Sequence, residues 1–310
     1  MSGSKKNCFL GIDTSNYTTS VGIWTEDGEF VNSRKLLPVP AGSCGLRQSD
    51  ALFNHVKQFP AVFAAADTGK YSIKGIGVSS RPRNVEGSYM PCFLYGVSAA
   101  QTLAAAYSVP IAEFSHQQGH IAAGIFSAGR EDLFSRPFYA FHVSGGTTEL
   151  LRVDSADSIS VAAATLDISL GQLVDRTGVL LGLGFPCGKA LESLAAGGKS
   201  PGRSGVKLKD GNCCLSGYEN KVMSMRGAGV PGADIARYVL EVAADTVTEM
   251  IRYVNRDHLP VLAVGGVMSD MIIRDSVSGK LSDFDICYAD AALSSDNAVG
   301  IAYLAGRKFL

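Results

Sequence analysis

The sequence predicts a two-lobed α/β fold with a duplicated core, and three observations predict it. A strand, a short turn of glycines and hydroxyls, and a second strand occur twice, at Gly11–Ser20 and at Ser144–Thr148, about half the chain apart. Each hairpin continues into a third strand-like run and then, further on, into helical segments. The length of 310 residues exceeds what one hydrophobic core usually serves, so two lobes are expected.

The elements follow in order. Phe9-Leu-Gly-Ile-Asp13 is an apolar run that stops at a polar turn. Thr19–Trp24 is a second strand, Asp27-Gly28 a tight turn, and Glu29–Leu36 a third strand, which together make a β-meander. Residues 49–66 carry apolar side chains at helical spacing, with Pro60 expected to kink or divide them. Ile73–Val78 reads as a buried strand, residues 79–91 as a loop, Leu94–Ala106 as a helix of small residues and Val109–Glu113 as a strand. The second half repeats the theme with strands at Phe138–Val143, Glu149–Val153 and Ile159–Ala163. A helix at Ile235–Val254, a strand at Val261–Val264 and a last helix from about Asp296 complete it. A duplicated meander with helices between its copies points to the actin/Hsp70/sugar-kinase (ASKHA) architecture, in which two related lobes close on a nucleotide. The ordinary alternative is a doubly wound sheet with a single glycine turn. The lobes are expected at residues 1–112 and 113–295, the second carrying the metal and nucleotide site. The final helix, about 296–310, is expected to pack back on the first lobe.

Composition narrows the class. Hydrophobic residues make up 46% and charged residues 18%, which suits a packed protein and excludes extended disorder. With 28 basic against 29 acidic residues no global basic field announces a nucleic acid, so any such contact must be a local patch. No apolar run is long enough for a signal-peptide core or a membrane span. The seven cysteines are odd in number, scattered and without a Cys-x-x-Cys pair, so reduced thiols in a cytoplasmic protein are expected.

Several residues carry chemistry. His116-Gln-Gln-Gly-His120 puts two imidazoles on one face if the stretch is helical, and there they can share a cation. A zinc-protease motif needs Glu after the first histidine; Gln117 stands there, so hydrolytic zinc chemistry is not supported. Surface or capping histidines are the plain alternative. Val143-Ser-Gly-Gly-Thr-Thr148 is a turn whose glycines let backbone N–H groups approach phosphate oxygens, or else a tight hairpin and no more. Gly265-Gly266 after a buried strand is a similar signal. Asp296 is either the N-cap of the last helix or the carboxylate that completes a two-histidine metal site.

Taken together, in this order and spacing, these pieces resemble the TsaD/Gcp family of tRNA threonylcarbamoyl transferases, also labelled M22 glycoproteases, over nearly the whole chain. The HxxxGH metal motif is matched by His116 and His120, and the late metal aspartate by Asp296. The VSGG nucleotide turn is matched by Val143, Ser144, Gly145 and Gly146. The segment with a ribose-binding aspartate is matched by Gly171–Arg176 with Asp175, and the adenosine-binding turn by Phe185-Pro-Cys-Gly188. Gly265-Gly266 and Asp270 match the GGV(S/A)AN segment, and Leu215–Glu219 the FSGLK segment. The resemblance implies a divalent metal, iron or zinc, and an adenine nucleotide: threonylcarbamoyl-AMP, ATP or ADP. It implies transfer of a threonylcarbamoyl group to N6 of the adenosine next to a tRNA anticodon. It further implies a TsaB-like or other family-member protein partner. Asp13 is the expected catalytic acid, contributing to phosphate or metal electrostatics.

The chain departs from the family at marked places. The acidic opening ETSCDET reads Asp13-Thr-Ser-Asn-Tyr-Thr-Thr19, with Tyr17 and Thr18 where two acids stand. Thr147 replaces a histidine, Gln172 a glutamate, and Asp270 an asparagine that contacts the base. The AGPGLVG loop becomes the longer, charged stretch 79–91, whose Arg81, Arg83 and Glu86 either read an acyl or phosphate group or form a solvated loop. These departures leave open a nucleotide- and metal-binding paralogue that acts through a protein partner.

Overall fold

The structure is a computed structural model that describes residues 5–15, 17–38, 46–199 and 204–310. The chain divides into two compact units, Met1–Ser127 with Asp296–Leu310, and Ala128–Ser295.

The first unit holds the strands β1 (Lys6–Asp13), β2 (Thr18–Thr25), β3 (Phe30–Leu36), β4 (Tyr71–Arg81) and β5 (Ile111–Ser115). They form one sheet in the order β3-β2-β1-β4-β5, antiparallel across the meander and parallel from β1 through β4 to β5. Its helices are α1 (Gln48–Ala65), α2 (Phe93–Tyr107), α3 (His116–Ser127) and, after the second unit, the terminal helix Val299–Phe309. The period-two alternation of strands gives the sheet two faces of different character. Cys8, Leu10, Ile12, Val21, Ile23, Ile76 and Val78 point to one face, where Phe59 and Val62 of α1 and Ala100 and Ala104 of α2 complete a core. On the other face the register sets Gly22, Gly11 and Gly77 side by side across β2, β1 and β4. This row without side chains is the bed of the terminal helix. A Cβ on Gly11 would lie 2.1 Å from the Ala298 carbonyl oxygen, and one on Gly77 2.6 Å from that of Ile301. Helix and sheet therefore meet backbone to backbone.

The second unit repeats the plan. Its strands β6 (Phe138–Val143), β7 (Thr148–Ser155), β8 (Ser158–Ala164), β11 (Val261–Val264) and β12 (Ile286–Tyr288) lie in the order β12-β11-β6-β7-β8. Read from the meander, that is the order and the pairing sense of the first sheet. A two-residue ladder, β9 (Leu208–Lys209) with β10 (Asn212–Cys213), stands apart. The helices are α4 (Leu170–Leu180), α5 (Gly188–Ala195), α6 (Ser216–Gly227), α7 (Gly232–Val254) and α8 (Met271–Lys280), which makes the terminal helix α9. The core gathers Tyr139, Phe141, Val143, Leu150 and Val261 of the sheet against the apolar stripe of α7. Among the described residues no helix is long and apolar enough to cross a membrane.

Three expectations need correction. The first unit runs on to Ser127 instead of closing near residue 112, because a break there would cut β5, which is hydrogen-bonded to β4. The histidine pair therefore belongs to the first unit. Pro60 does not divide α1: it lies on the exposed side of one continuous helix. The last helix starts at Val299, and its first amides are capped by Asn297, whose side-chain oxygen accepts from Val299 and Gly300 N–H. Asp296 is thereby free of capping.

Candidate metal centre

Three parts of the first unit, α3, the end of β1 and the residues before α9, bring the histidine pair together with two carboxylates. The start of α3 is set by a reciprocal capping box: Ser115 Oγ accepts from Gln118 N–H at 3.1 Å, and Gln118 Oε1 accepts from Ser115 N–H at 2.7 Å. His116 is consequently the first helical residue and His120 lies one turn on, above the same face. The two helices α3 and α9 pass at Gly119 and Gly300, where a Cβ on Gly300 would sit 1.9 Å from the Gly119 carbonyl oxygen. Only glycine permits that crossing. It sets Asp296, one turn ahead of Gly300, beside both imidazoles.

The donor atoms converge. His116 Nε2 and His120 Nε2 are 3.0 Å apart, and Asp296 Oδ1 is 3.2 Å from His120 Nε2 and 3.6 Å from His116 Nε2. A tetrahedral ion with bonds of ~2.0–2.1 Å places its ligands ~3.3 Å apart, within this range. The side chains of His116, His120 and Asp296 remain 20%, 7% and 30% exposed, so the triad is walled on the helix side and open on another. Two nitrogens and one carboxylate oxygen suit iron or zinc, and a fourth position is left for water or substrate. The residues fit the implied metal.

Asp13 stands behind this triad. At the end of β1, on the same face as Gly11, it is buried to 1% exposure. Its Oδ2 is 2.8 Å from His116 Nδ1 and accepts from Ser79 Oγ; its Oδ1 accepts from Ser15 N–H at 2.8 Å. Ser15 Oγ also lies 2.9 Å from His116 Nδ1. Both carboxylate oxygens are thus used inside the protein. Of the two roles expected of Asp13, phosphate or metal electrostatics, the burial bears on the second: its carboxylate meets the His116 ring at Nδ1, with Nε2 on the side of His120 and Asp296. Burial alone would raise the Asp13 carboxyl, but the charge and hydrogen bond of His116 outweigh it and hold it below the usual range. Burial likewise works against a charged His116, while Asp13 and Asp296 more than compensate and raise it. Asp296 is held well below its ordinary value, burial being outweighed by the two histidines. Thr18, where the family opening carries an acid, donates from Oγ1 to Asp296 Oδ2 at 3.2 Å and holds that carboxylate from behind. Arg34 supports the same residue through its carbonyl oxygen, 3.2 Å away.

In the second unit two of the predicted nucleotide segments, Ser144–Gly146 and Gly265–Gly266, follow the ends of β6 and β11. Ser144 N–H donates to Thr147 O at 2.9 Å and closes the turn, leaving Gly145 and Gly146 exposed. The turn is braced by the start of α4. Ser169 caps α4 in a second capping box with Gln172 and donates from Oγ to Gly145 O at 2.7 Å. Leu170 N–H donates to Thr148 Oγ1 at 2.9 Å. Gly265 has φ of +103°, and a Cβ there would lie 2.1 Å from Val143 O, so glycine is required for the second turn to reach the first. Gly266 beside it is exposed. Asp175, one turn into α4, accepts from Cys187 N–H at 2.8 Å, which ties α4 to the start of α5 at Gly188. Asp270 is buried at 8% exposure and caps α8, accepting from Ile273 N–H at 3.0 Å. Burial, with the charge of Glu192 adding to it, pushes its carboxyl up to about 6. In the loop, Arg81 is half-buried, whereas Arg83 and Glu86 are exposed.

Sequence reasoning missed Ser15, Thr18, Ser79, Gly119 and Gly300. The Ser-x-x-Gln signatures at Ser115–Gln118 and Ser169–Gln172 were available to locate the starts of α3 and α4. Nothing local marks Ser79 as a partner of Asp13, 66 residues away in sequence.

Comparison with known proteins identifies the family. Residues 51–303 match the family model of TsaD, tRNA N6-adenosine threonylcarbamoyltransferase. The protein of that name from Burkholderia mallei (strain ATCC 23344) is 31% identical over 96% of this chain and 90% of its own length. Its namesake from Fervidobacterium nodosum is 26% identical over 94% and 90%. That of Ralstonia pickettii (strain 12J) is 31% identical over 68% of this chain and 65% of its own length. Among solved structures, HypF of T. kodakarensis superposes with a TM-score of 0.63 at 13% identity, over 99% of this chain and 48% of that one. Component A of Acidaminococcus fermentans (R)-2-hydroxyglutaryl-CoA dehydratase gives 0.54 at 14% identity, over 98% and 99%. At such identities these structures speak for the fold alone, and it is the ASKHA fold, with its five-stranded motif in both units. By its family match and by its relatives, the chain belongs to the TsaD family of tRNA N6-adenosine threonylcarbamoyltransferases.

Proposed function

We propose that this protein transfers a threonylcarbamoyl group from its adenylate to N6 of adenosine in tRNA, next to the anticodon, at a metal held by His116, His120 and Asp296. The observation that carries the reading is the convergence of three donor atoms at separations of 3.0, 3.2 and 3.6 Å, with a fourth side chain, Asp13, locking His116 by its other nitrogen. A divalent ion, iron or zinc, would polarise the carbonyl under attack and stabilise the charge that develops on it.

The chain's own groups supply the rest. His116 is held in one ring orientation by Asp13 and Ser15, and Asp296 by Thr18, so the ligand set is ordered before any ion arrives. Ser144, Gly145 and Gly146 would turn backbone N–H groups toward the phosphate of the adenine nucleotide, be it threonylcarbamoyl-AMP, ATP or ADP. Asp175 and Gly188 would bind its sugar and nucleoside, with Gly265, Gly266 and Asp270 bordering the base. Asp13, fully engaged inside the protein, acts as a positioning residue. The tRNA amine is the nucleophile and AMP leaves. A TsaB-like partner is expected to be needed for turnover.

A second reading, a non-catalytic or re-purposed nucleotide- and metal-binding paralogue acting through a protein partner, is favoured by one observation: the stretch from the end of β1 into β2 offers Tyr17 and Thr18 instead of acids, and the Thr18 hydroxyl is spent on Asp296. The deciding experiment is tRNA modification with threonine, bicarbonate, ATP and the family's usual partner proteins. An authentic TsaD serves as positive control and a His116→Ala/His120→Ala variant as negative control. Histidine-dependent modification supports the transferase. No modification beside a working control, with zinc and ADP still bound, selects the second reading.

A further inference from the structure

The loop after β4 holds a guanidinium whose partners do not neutralise it. Arg81 is half-buried, and its Nη1 donates to Ser80 Oγ at 3.1 Å and its Nη2 to Asn84 Oδ1 at 2.5 Å. Both acceptors are neutral. Arg130, Arg152, Arg176 and Arg237, by contrast, each face a carboxylate. Among the described residues Arg81 has no acidic partner, and two hydrogen bonds leave three of its five donors unspent. A cation withdrawn in part from water with only neutral company is costly unless an anion joins it.

Its position says where that anion comes from. Arg81 pairs in register with Ser115, the residue before His116, across a bulge in β4. Pro82 O accepts from Gln117 N–H at 3.1 Å, which lays the segment across the first turn of α3. Two residues earlier Ser79 supports Asp13, the carboxylate behind His116. The end of the helix is not the attraction, since its amides at Gln117 and Gln118 are already taken by Pro82 O and Ser115 Oγ. Along the chain Arg81 therefore stands beside the residues that carry His116 and support Asp13, with its fork bonded, among the described residues, to Ser80 and Asn84 alone.

We propose that Arg81 is the oxyanion-recognising residue of the metal centre, binding a carboxylate or phosphate oxygen of the molecule that the metal site takes. The inference deepens the transferase reading and rests on it for the identity of the site. Its test needs no tRNA, so the two fail separately. Arg83 and Glu86, exposed in the same loop, are not part of the assignment.

The test is calorimetric titration of the full-length protein, with and without zinc, using inorganic phosphate and N-acetylthreonine as separate probes. A phosphate signal assigns the fork to the phosphate and an N-acetylthreonine signal to the acyl carboxylate. In either case Arg81→Gln should weaken the bound probe at least about tenfold, the loss expected for a charge-assisted hydrogen-bonded contact. Arg81→Lys should fall between, keeping the charge without the fork. Arg83→Gln should leave binding within about twofold, because an exposed charge beside the site adds little. Thermal melts of all variants show whether each is folded; if Arg81→Gln does not fold, Arg81→Lys decides alone. The assignment is overturned if the unaltered protein binds neither probe. It is equally overturned if binding survives loss of the fork, or if Arg83→Gln weakens binding as much as Arg81→Gln.

Discussion

Replacing Asp270 by asparagine should make the protein more stable at neutral pH, and by an amount that depends on pH. Asp270 caps α8 through a bond from Ile273 N–H, yet it is buried and stands near Glu192. Burial first, and then the Glu192 charge, raise its carboxyl from 3.8 to about 6. The folded state therefore holds this proton more tightly than the unfolded chain does. Stability falls as pH climbs from about 4 to about 6, and the loss is complete above the folded value. Two pKa units correspond to about 3 kcal/mol, an upper bound that dielectric relaxation around a buried charge reduces to about 1–2 kcal/mol. Asparagine caps a helix as well as aspartate and never ionises, so it keeps the bond and removes the penalty. Urea unfolding of both proteins across pH 4.5–8 isolates the effect, since titrating groups not coupled to Asp270 cancel in the difference. The advantage of Asp270→Asn should widen by about 1–2 kcal/mol between the ends of that range, nearly all of it below pH 7. A gap that does not change with pH, or an asparagine variant that is less stable throughout, would refute the reasoning.

Other consequences are as direct. Asp13→Asn frees the His116 ring, and zinc affinity measured by competition with a chelator should drop about 10- to 100-fold while the melting curve of the zinc-free protein moves far less. An unchanged zinc affinity would remove Asp13 from the metal centre. Gly300→Ala puts a Cβ 1.9 Å from Gly119 O, so α3 and α9 must separate; the expected cost is about 1–3 kcal/mol or more, with loss of zinc binding. A variant that is as stable as the parent and still binds zinc would mean the crossing does not hold Asp296 in place. Ser169→Ala removes both the cap of α4 and the brace on Gly145 O; it should cost about 1–2 kcal/mol in urea and weaken ADP binding. Unaltered ADP affinity would detach the Ser144–Gly146 turn from the nucleotide.

Much of this protein was legible in its residues. The meanders, the long α7, and the small-residue helix α2 announce themselves by periods of two and 3.6, because burial on one face is a local demand on the chain. His116, His120 and Asp296 could be named as a candidate ligand set from residue type and spacing. Their company could not. Whether Asp296 caps a helix or faces a cation depends on Asn297 taking the capping bonds, a choice between neighbours that composition does not express. That Asp13 serves His116 depends on strand register, which places its carboxylate beside Ser79 of β4 and on the same sheet face as Gly11.

The class of the fold, its duplication, and the kinds of atoms available for a metal and a nucleotide follow from residue type and periodicity alone. Long-range packing is what joins the histidine pair to the first unit and sets Asp13 behind His116. It also decided that α3 and α9 cross where two glycines let them touch. The reason is the same in each case. Periodicity reports which face of an element is buried, while the partner it is buried against lies far along the chain and is chosen by backbone approach, register and hydrogen-bond supply.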